Sequence, residues 1–159
     1  MNIIGVDPGL SGAVVHLCAD GSIATYPMPV VGKELDFGQL ASLLRIPEGS
    51  YDKHVFVERS QAFPKMGVCS AFNYGASYWG VLAICAALRI PVTKVPPMKW
   101  HRALIVGKDG SPKDRALMAC RQLFPEVELT VGKGRKAHEG VVDALLIAEY
   151  GRRTLHGII

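Results

Sequence analysis

Near the N-terminus the chain runs Asn2-Ile3-Ile4-Gly5-Val6-Asp7-Pro8-Gly9-Leu10-Ser11-Gly12. An apolar run ends in an aspartate, turns on Pro8-Gly9, and resumes as Ala13-Val14-Val15-His16-Leu17. Aspartate is disfavoured inside strands, and a buried ionised carboxylate is costly unless something compensates it. Asp7 therefore marks a site at the carboxyl end of a central strand, and a bound cation is the simplest compensation.

The rest of the chain supplies the partners of that strand. Gly12 to Leu17 and Ser22 to Pro27 read as two further strands of an antiparallel meander, joined at Ala19-Asp20-Gly21. Asp36 to Arg45 is predicted helical, with Asp36 as cap and Phe37, Leu40, Leu43 and Leu44 at helical spacing. His54-Val55-Phe56-Val57-Glu58 is a second short apolar strand that ends in a carboxylate. Residues 70–88 read as a long helix apolar on most sides, Pro91 to Val95 as a fifth strand, and Met98 to Leu104 as a short helix. Ser111-Pro112 opens a helix to Phe124, and a last helix runs from about His138 to Arg153. This order predicts one α/β domain over residues 1–159, with a five-stranded mixed sheet flanked by helices. Helical crossovers make the first, fourth and fifth strands parallel, so ligands gather at their carboxyl ends.

Composition narrows the function. Apolar residues make up 49% and charged residues 20% of 159, the balance of a chain that folds round a core. The longest apolar run, Val81 to Leu88, is eight residues, which excludes a helical membrane span, and no signal-peptide pattern is seen. Cys18, Cys69, Cys85 and Cys120 are scattered without metal-binding spacing, so we expect reduced, mostly buried thiols in a cytosolic protein. Residues 1–88 hold 5 Lys/Arg against 7 Asp/Glu, whereas residues 89–159 hold 13 against 7. That asymmetry fits either a polyanionic partner, nucleic acid being the commonest, or a solvated basic face.

The acids carry the chemistry. Asp7 and Glu58 end strands that lie side by side if the parallel order holds, and two like charges there would force a proton on or bind a cation. Glu139 and Asp143 are i and i+4 at the start of the last helix, while Val142, Leu145 and Leu146 turn to the sheet. Together the four would form an oxygen-rich open cage suited to Mg²⁺ or Mn²⁺, and two such ions can drive phosphodiester cleavage. Singly each acid has a plainer role, as a turn former, a helix cap or a partner of the helix dipole.

The Ile-Gly-Val-Asp-Pro-Gly strand, the Val57-Glu58-Arg59 strand end, the buried helix followed by Pro-Val and a lysine, and Asp143-Ala-Leu-Leu-Ile-Ala-Glu-Tyr-Gly151 resemble RuvC-type Holliday junction resolvases, in particular their shorter phage-type branch. The resemblance runs from about Ile3 to Gly151. It implies an RNase H-like fold, a homodimer, and divalent-metal hydrolysis of four-way DNA junctions by paired symmetric nicks, in a bacterial or phage-infected cytosol. By position Asp7, Glu58 and Asp143 match three of the family's four acidic ligands. The fourth place falls on Gly140, a departure. Glu139 is the substitute, with His138 as the alternative ligand or proton-transfer group. Lys99 and Lys113 match basic positions near the scissile phosphate, or are solvated lysines. Lys113 also stands at a helix N-terminus, where backbone N–H groups favour phosphate.

The family's junction-stacking aromatic falls nearest to Phe63, which could equally be a core anchor. The loop Lys133-Gly134-Arg135-Lys136 is basic and beside the acids, which suits phosphate contacts. Phe72, Tyr74, Tyr78 and Trp79 on the long helix suit a dimer face or the interior of a monomer. Competing functions are an RNase H-like nuclease for other branched DNA or an RNA–DNA hybrid, an actin- or sugar-kinase-like nucleotide binder, and a silent DNA-binding protein. A kinase-like binder needs a second domain and a second phosphate motif, for which 159 residues leave no room.

Overall fold

The computed structural model describes residues 1–45, 52–59, 66–107 and 109–159. Strand β1 (Asn2–Asp7) lies at the centre of a five-stranded sheet. On one side it pairs antiparallel with β2 (Ala13–Leu17), which pairs with β3 (Ile23–Pro27). On the other it pairs parallel with β6 (Lys53–Glu58), and β6 parallel with β7 (Val92–Val95). The resulting order is β3-β2-β1-β6-β7, the mixed sheet expected from the sequence. A strand buried on both faces needs no alternation of polar residues, which is why β1 reads as an unbroken apolar run.

The two faces of β1 feed two cores. Ile4 and Val6 join Val14, Val55 and Val57 beneath helices α1 (Phe37–Leu44) and α2 (Val68–Ala87), through Leu40, Leu44, Val81 and Cys85. Ile3, Val15, Phe56 and Val95 face α3 (Pro97–Leu104), α4 (Pro112–Leu123) and α5 (Glu139–Leu155). α5 lies along the middle of the sheet. A Cβ at Gly5 would collide with the Ala144 carbonyl and come within 2.6 Å of Ala148 N, so only glycine lets the helix settle onto β1.

Helix starts follow their sequence signals. Asp36 accepts from Gln39 N–H at 2.9 Å, and Ser111 and Asp114 form a reciprocal capping box at the head of α4. The sequence reading does not include β4 (Val30–Val31) and β5 (Glu34–Leu35), a hairpin of two-residue strands turning at Gly32, whose φ is +64°. Strands that short carry no readable period. The thiols are free as expected, although Cys69 is exposed because it sits on the outer side of the first turn of α2. Among the described residues no helix is long and apolar enough to cross a membrane.

Candidate active site

Val6 pairs with Val57 in parallel register, so Asp7 and Glu58, each one residue further on, leave neighbouring strands side by side. Side chains alternate along a strand. Because Val6 and Val57 enter the α1–α2 core, Asp7 and Glu58 turn to the opposite face, where the first turns of α5 descend. Asp143 arrives there from α5, and the charges of Asp7 and Glu58 both act on it. Three elements distant in sequence thus bring three carboxylates to one end of the sheet.

The electrostatics record that crowding. Burial raises Asp7, against an N–H of Gly9 at 3.4 Å and the nearby ring of His138, which lower it. Glu58 is pushed up to about 7, by burial first and by Asp7, although the Trp100 indole N–H holds its carboxylate at 3.0 Å. Asp143 also rises to about 7, by burial first, then through the charges of Asp7, Glu58 and Glu139, with Lys113 opposing. Carboxylates held this far above their usual range are at odds with their own ionisation, the condition a hard cation relieves.

The donor set, oxygen atoms of mutually repelling partly buried acids, therefore fits a divalent ion. Among the described residues no three His, Cys, Asp or Glu side chains are set as closely as a metal cage requires. The acids nonetheless sense one another across the site, since the charges of Asp7, Glu58 and Glu139 all act on Asp143.

The remaining predicted residues fall around this centre. His138 caps α5, its Nδ1 accepting from Val141 N–H at 3.3 Å, and it lines a cleft of about 420 Å³ with Asp7, Glu139 and Asp143. Glu139 turns outward at the rim, where its Oε2 lies 2.7 Å from Lys113 Nζ. A side chain at position 140 would strike backbone. A Cβ there would lie 2.5 Å from Gly12 Cα and from the Ser11 carbonyl oxygen, so the α5 backbone rests directly on the β1–β2 turn. The departure at Gly140 thus has a steric cause. Lys136 lines the cleft, Arg135 lines its neighbour, and Lys133 is exposed in the same loop. Lys99 stands exposed on α3, one residue before the indole that holds Glu58. Phe63 lies outside the described residues.

Sequence reasoning missed Trp100. Its ring is 1% exposed, and a buried indole must find an acceptor for its N–H. That requirement was readable, but the identity of the acceptor depends on α3 crossing the end of β6.

A central β1 flanked by an antiparallel meander and two parallel strands, with α5 laid across it and acids at the strand ends, is an RNase H-like fold. No protein-family description and no curated protein matches the chain. Among solved structures it is similar to T. thermophilus RuvC in complex with a Holliday junction substrate, at 18% identity and a TM-score of 0.64 over 99% of this chain and 96% of that one. A second Thermus thermophilus RuvC structure matches at 20% identity and a TM-score of 0.61, over 99% and 97% of the respective chains. The fold that the sequence resemblance implies and the fold of the structure agree over nearly the whole length.

Proposed function

We propose that this protein is a divalent-metal-dependent, structure-selective DNA endonuclease that resolves four-way junctions by paired nicks, acting as a homodimer. The observation that carries the reading is the convergence of Asp7, Glu58 and Asp143 at the carboxyl ends of β1 and β6 beneath the start of α5. The fold shared with RuvC and the basic second half of the chain support DNA as the substrate.

Asp7, Glu58 and Asp143 would hold Mg²⁺ or Mn²⁺, which when bound supplies an activated water and stabilises the leaving oxygen of a phosphodiester. Trp100 fixes the Glu58 carboxylate through its N–H. Because Nδ1 of His138 is committed to the α5 cap, Nε2 is the ring nitrogen left to face the cleft or pass a proton. The ion pair with Glu139 keeps Lys113 at the rim, where its ammonium meets an incoming phosphate. Lys133, Arg135 and Lys136 offer further phosphate contacts beside the acids.

The test is cleavage of a labelled four-way junction against a linear duplex of the same sequence, with Mg²⁺, Mn²⁺ or EDTA. Metal-dependent paired nicks on the junction alone, lost in Asp7→Asn while junction binding persists, are the expected outcome. Metal-dependent cutting of three-way or RNA–DNA hybrid substrates equally well would keep the site and broaden the substrate. No cutting with either metal would overturn the nuclease reading.

A further inference from the structure

The cleft that contains Asp7 does not end at Asp143. A second hollow of about 470 Å³ shares Lys136, Ala137, Glu139 and Asp143 with it, so the two run together as one trough past the carboxylates. Beyond Asp143 its walls are α4 and the loop before α5, and its floor is Ala116, Leu117 and Val142. Lys113, Leu117 and Arg121 line it at i, i+4 and i+8, which places them in one row along α4.

Charge along this row is uneven. Asp114 is occupied by Ser111 in the capping box, and Glu139 by Lys113. Ion pairs among the described residues involve Lys113, Arg152, Arg153 and the N-terminus, and leave Arg121 and Arg135 with none. The trough past Asp143 therefore carries two guanidinium groups free of ion pairs, Arg135 from the loop beside the acids and Arg121 further along α4, over an apolar floor suited to a sugar–phosphate chain. Eight residues of helix separate Lys113 from Arg121 by about 12 Å. Phosphates of one strand advance by about 3.4 Å along a duplex axis while winding round it, so a straight reach of about 12 Å spans about two nucleotides.

Resting on the nuclease reading above, we infer that Arg121 is a DNA-binding residue, and that the trough carries the cut strand so that Arg121 holds a phosphate about two nucleotides from the scissile one. Lys113 works at the cut and Arg121 fixes how the strand leaves it. Nothing in the sequence pattern alone singled out Arg121, because its place depends on α4 lying beside the loop of Arg135.

The experiment is junction binding in EDTA across a salt series, with cut sites mapped separately in Mg²⁺. Wild type, Arg121→Ala, Arg121→Lys and Arg45→Ala are compared, Arg45 being an exposed arginine at the far end of the sheet. Neutral methylphosphonates replace single phosphates one to five nucleotides either side of the cut. Arg121→Ala is expected to bind roughly tenfold more weakly at low salt and to flatten the salt slope by about 1, with Arg121→Lys between. Arg45→Ala should match wild type. A methylphosphonate about two nucleotides from the cut should weaken wild type and leave Arg121→Ala unchanged. A wild-type salt slope in Arg121→Ala, or methylphosphonate effects equal in both proteins, would overturn the inference while metal-dependent cutting kept the nuclease reading. A wild type that neither binds nor cuts junctions would overturn both.

Discussion

Asp143 is the residue in which burial and repulsion meet, and its pKa has a consequence for stability. In the unfolded chain Asp143 and Glu58 ionise near 3.8 and 4.5, whereas in the fold both rise to about 7. Between those values the folded protein holds protons that the unfolded chain has released, so their contribution is fully present below about pH 4 and is lost as pH rises through 7. Asn at position 143 carries no charge to desolvate or repel. Asp143→Asn should therefore be inactive yet more stable than wild type in EDTA at pH 8, by on the order of 2 kcal/mol. Taking the difference between the two proteins cancels the histidines, whose lowered values favour stability as pH rises. Urea unfolding at pH 5, 6, 7 and 8 checks this: the gap should widen with pH, and Mg²⁺ should narrow it by stabilising wild type only. A gap that ignores pH would mean that repulsion at the site is negligible. Asp7 and Glu58 were legible as site candidates because each ends a short apolar strand, where an acid is out of place. Trp100 was not, because its hydrogen bond joins residues 42 positions apart.

α5 sets the geometry of the site, since it brings Asp143 over the strand ends and is seated by glycine at both contacts, Gly5 beneath it and Gly140 within it. At Gly140 the neighbours are backbone atoms of Ser11 and Gly12, which cannot rotate away as a side chain could. Gly140→Ala gains helix propensity worth about 1 kcal/mol but forces α5 off the β1–β2 turn, an overpacking cost of about 1–3 kcal/mol. The net expectation is a lower urea midpoint together with reduced cleavage, as Asp143 shifts relative to Asp7. Gly75 in α2 has no atom of its own chain within 4 Å of where its Cβ would lie, so Gly75→Ala should raise the midpoint instead when compared in a background kept monomeric by Phe72→Glu with Trp79→Glu, since Gly75 shares the outward stripe of α2. Equal effects from the two substitutions would refute the steric account. The nine-element skeleton around α5 was readable because periodicity, caps and turns agreed at each step, from Asp36 to the Ser111 box. The β4–β5 hairpin escaped because two residues define no alternation. The missing acid at 140 could be seen in the sequence, but its cause is a contact between segments nearly 130 residues apart, which no local pattern encodes.

At the scale of the whole molecule the outward face of α2 stands apart from the rest of the surface. Val68, Phe72 and Trp79 are 85%, 73% and 63% exposed, and their spacing of four and seven residues puts them on one stripe. Tyr78 turns inward at 5%, so the aromatics of this helix divide between the core and the surface. Lys94 lies 5.3 Å from the Trp79 ring, which leaves the indole exposed beside the edge strand β7. An apolar stripe of this kind is costly to leave in water and suits burial against a second copy. The homodimer proposed above has a chemical reason as well, because each chain brings together one set of Asp7, Glu58 and Asp143, and paired nicks on opposite strands need two. Phe72→Glu with Trp79→Glu should leave the fold intact, both side chains being exposed, and convert a dimer to a monomer in sedimentation. The same variant should lose paired nicking of a four-way junction while its circular dichroism stays near wild type and its urea midpoint no longer depends on protein concentration. A variant that remains dimeric would move the interface off α2. A wild type that is monomeric but still cuts both strands in concert would mean that the second active site arrives only on the DNA, with the junction itself assembling the pair.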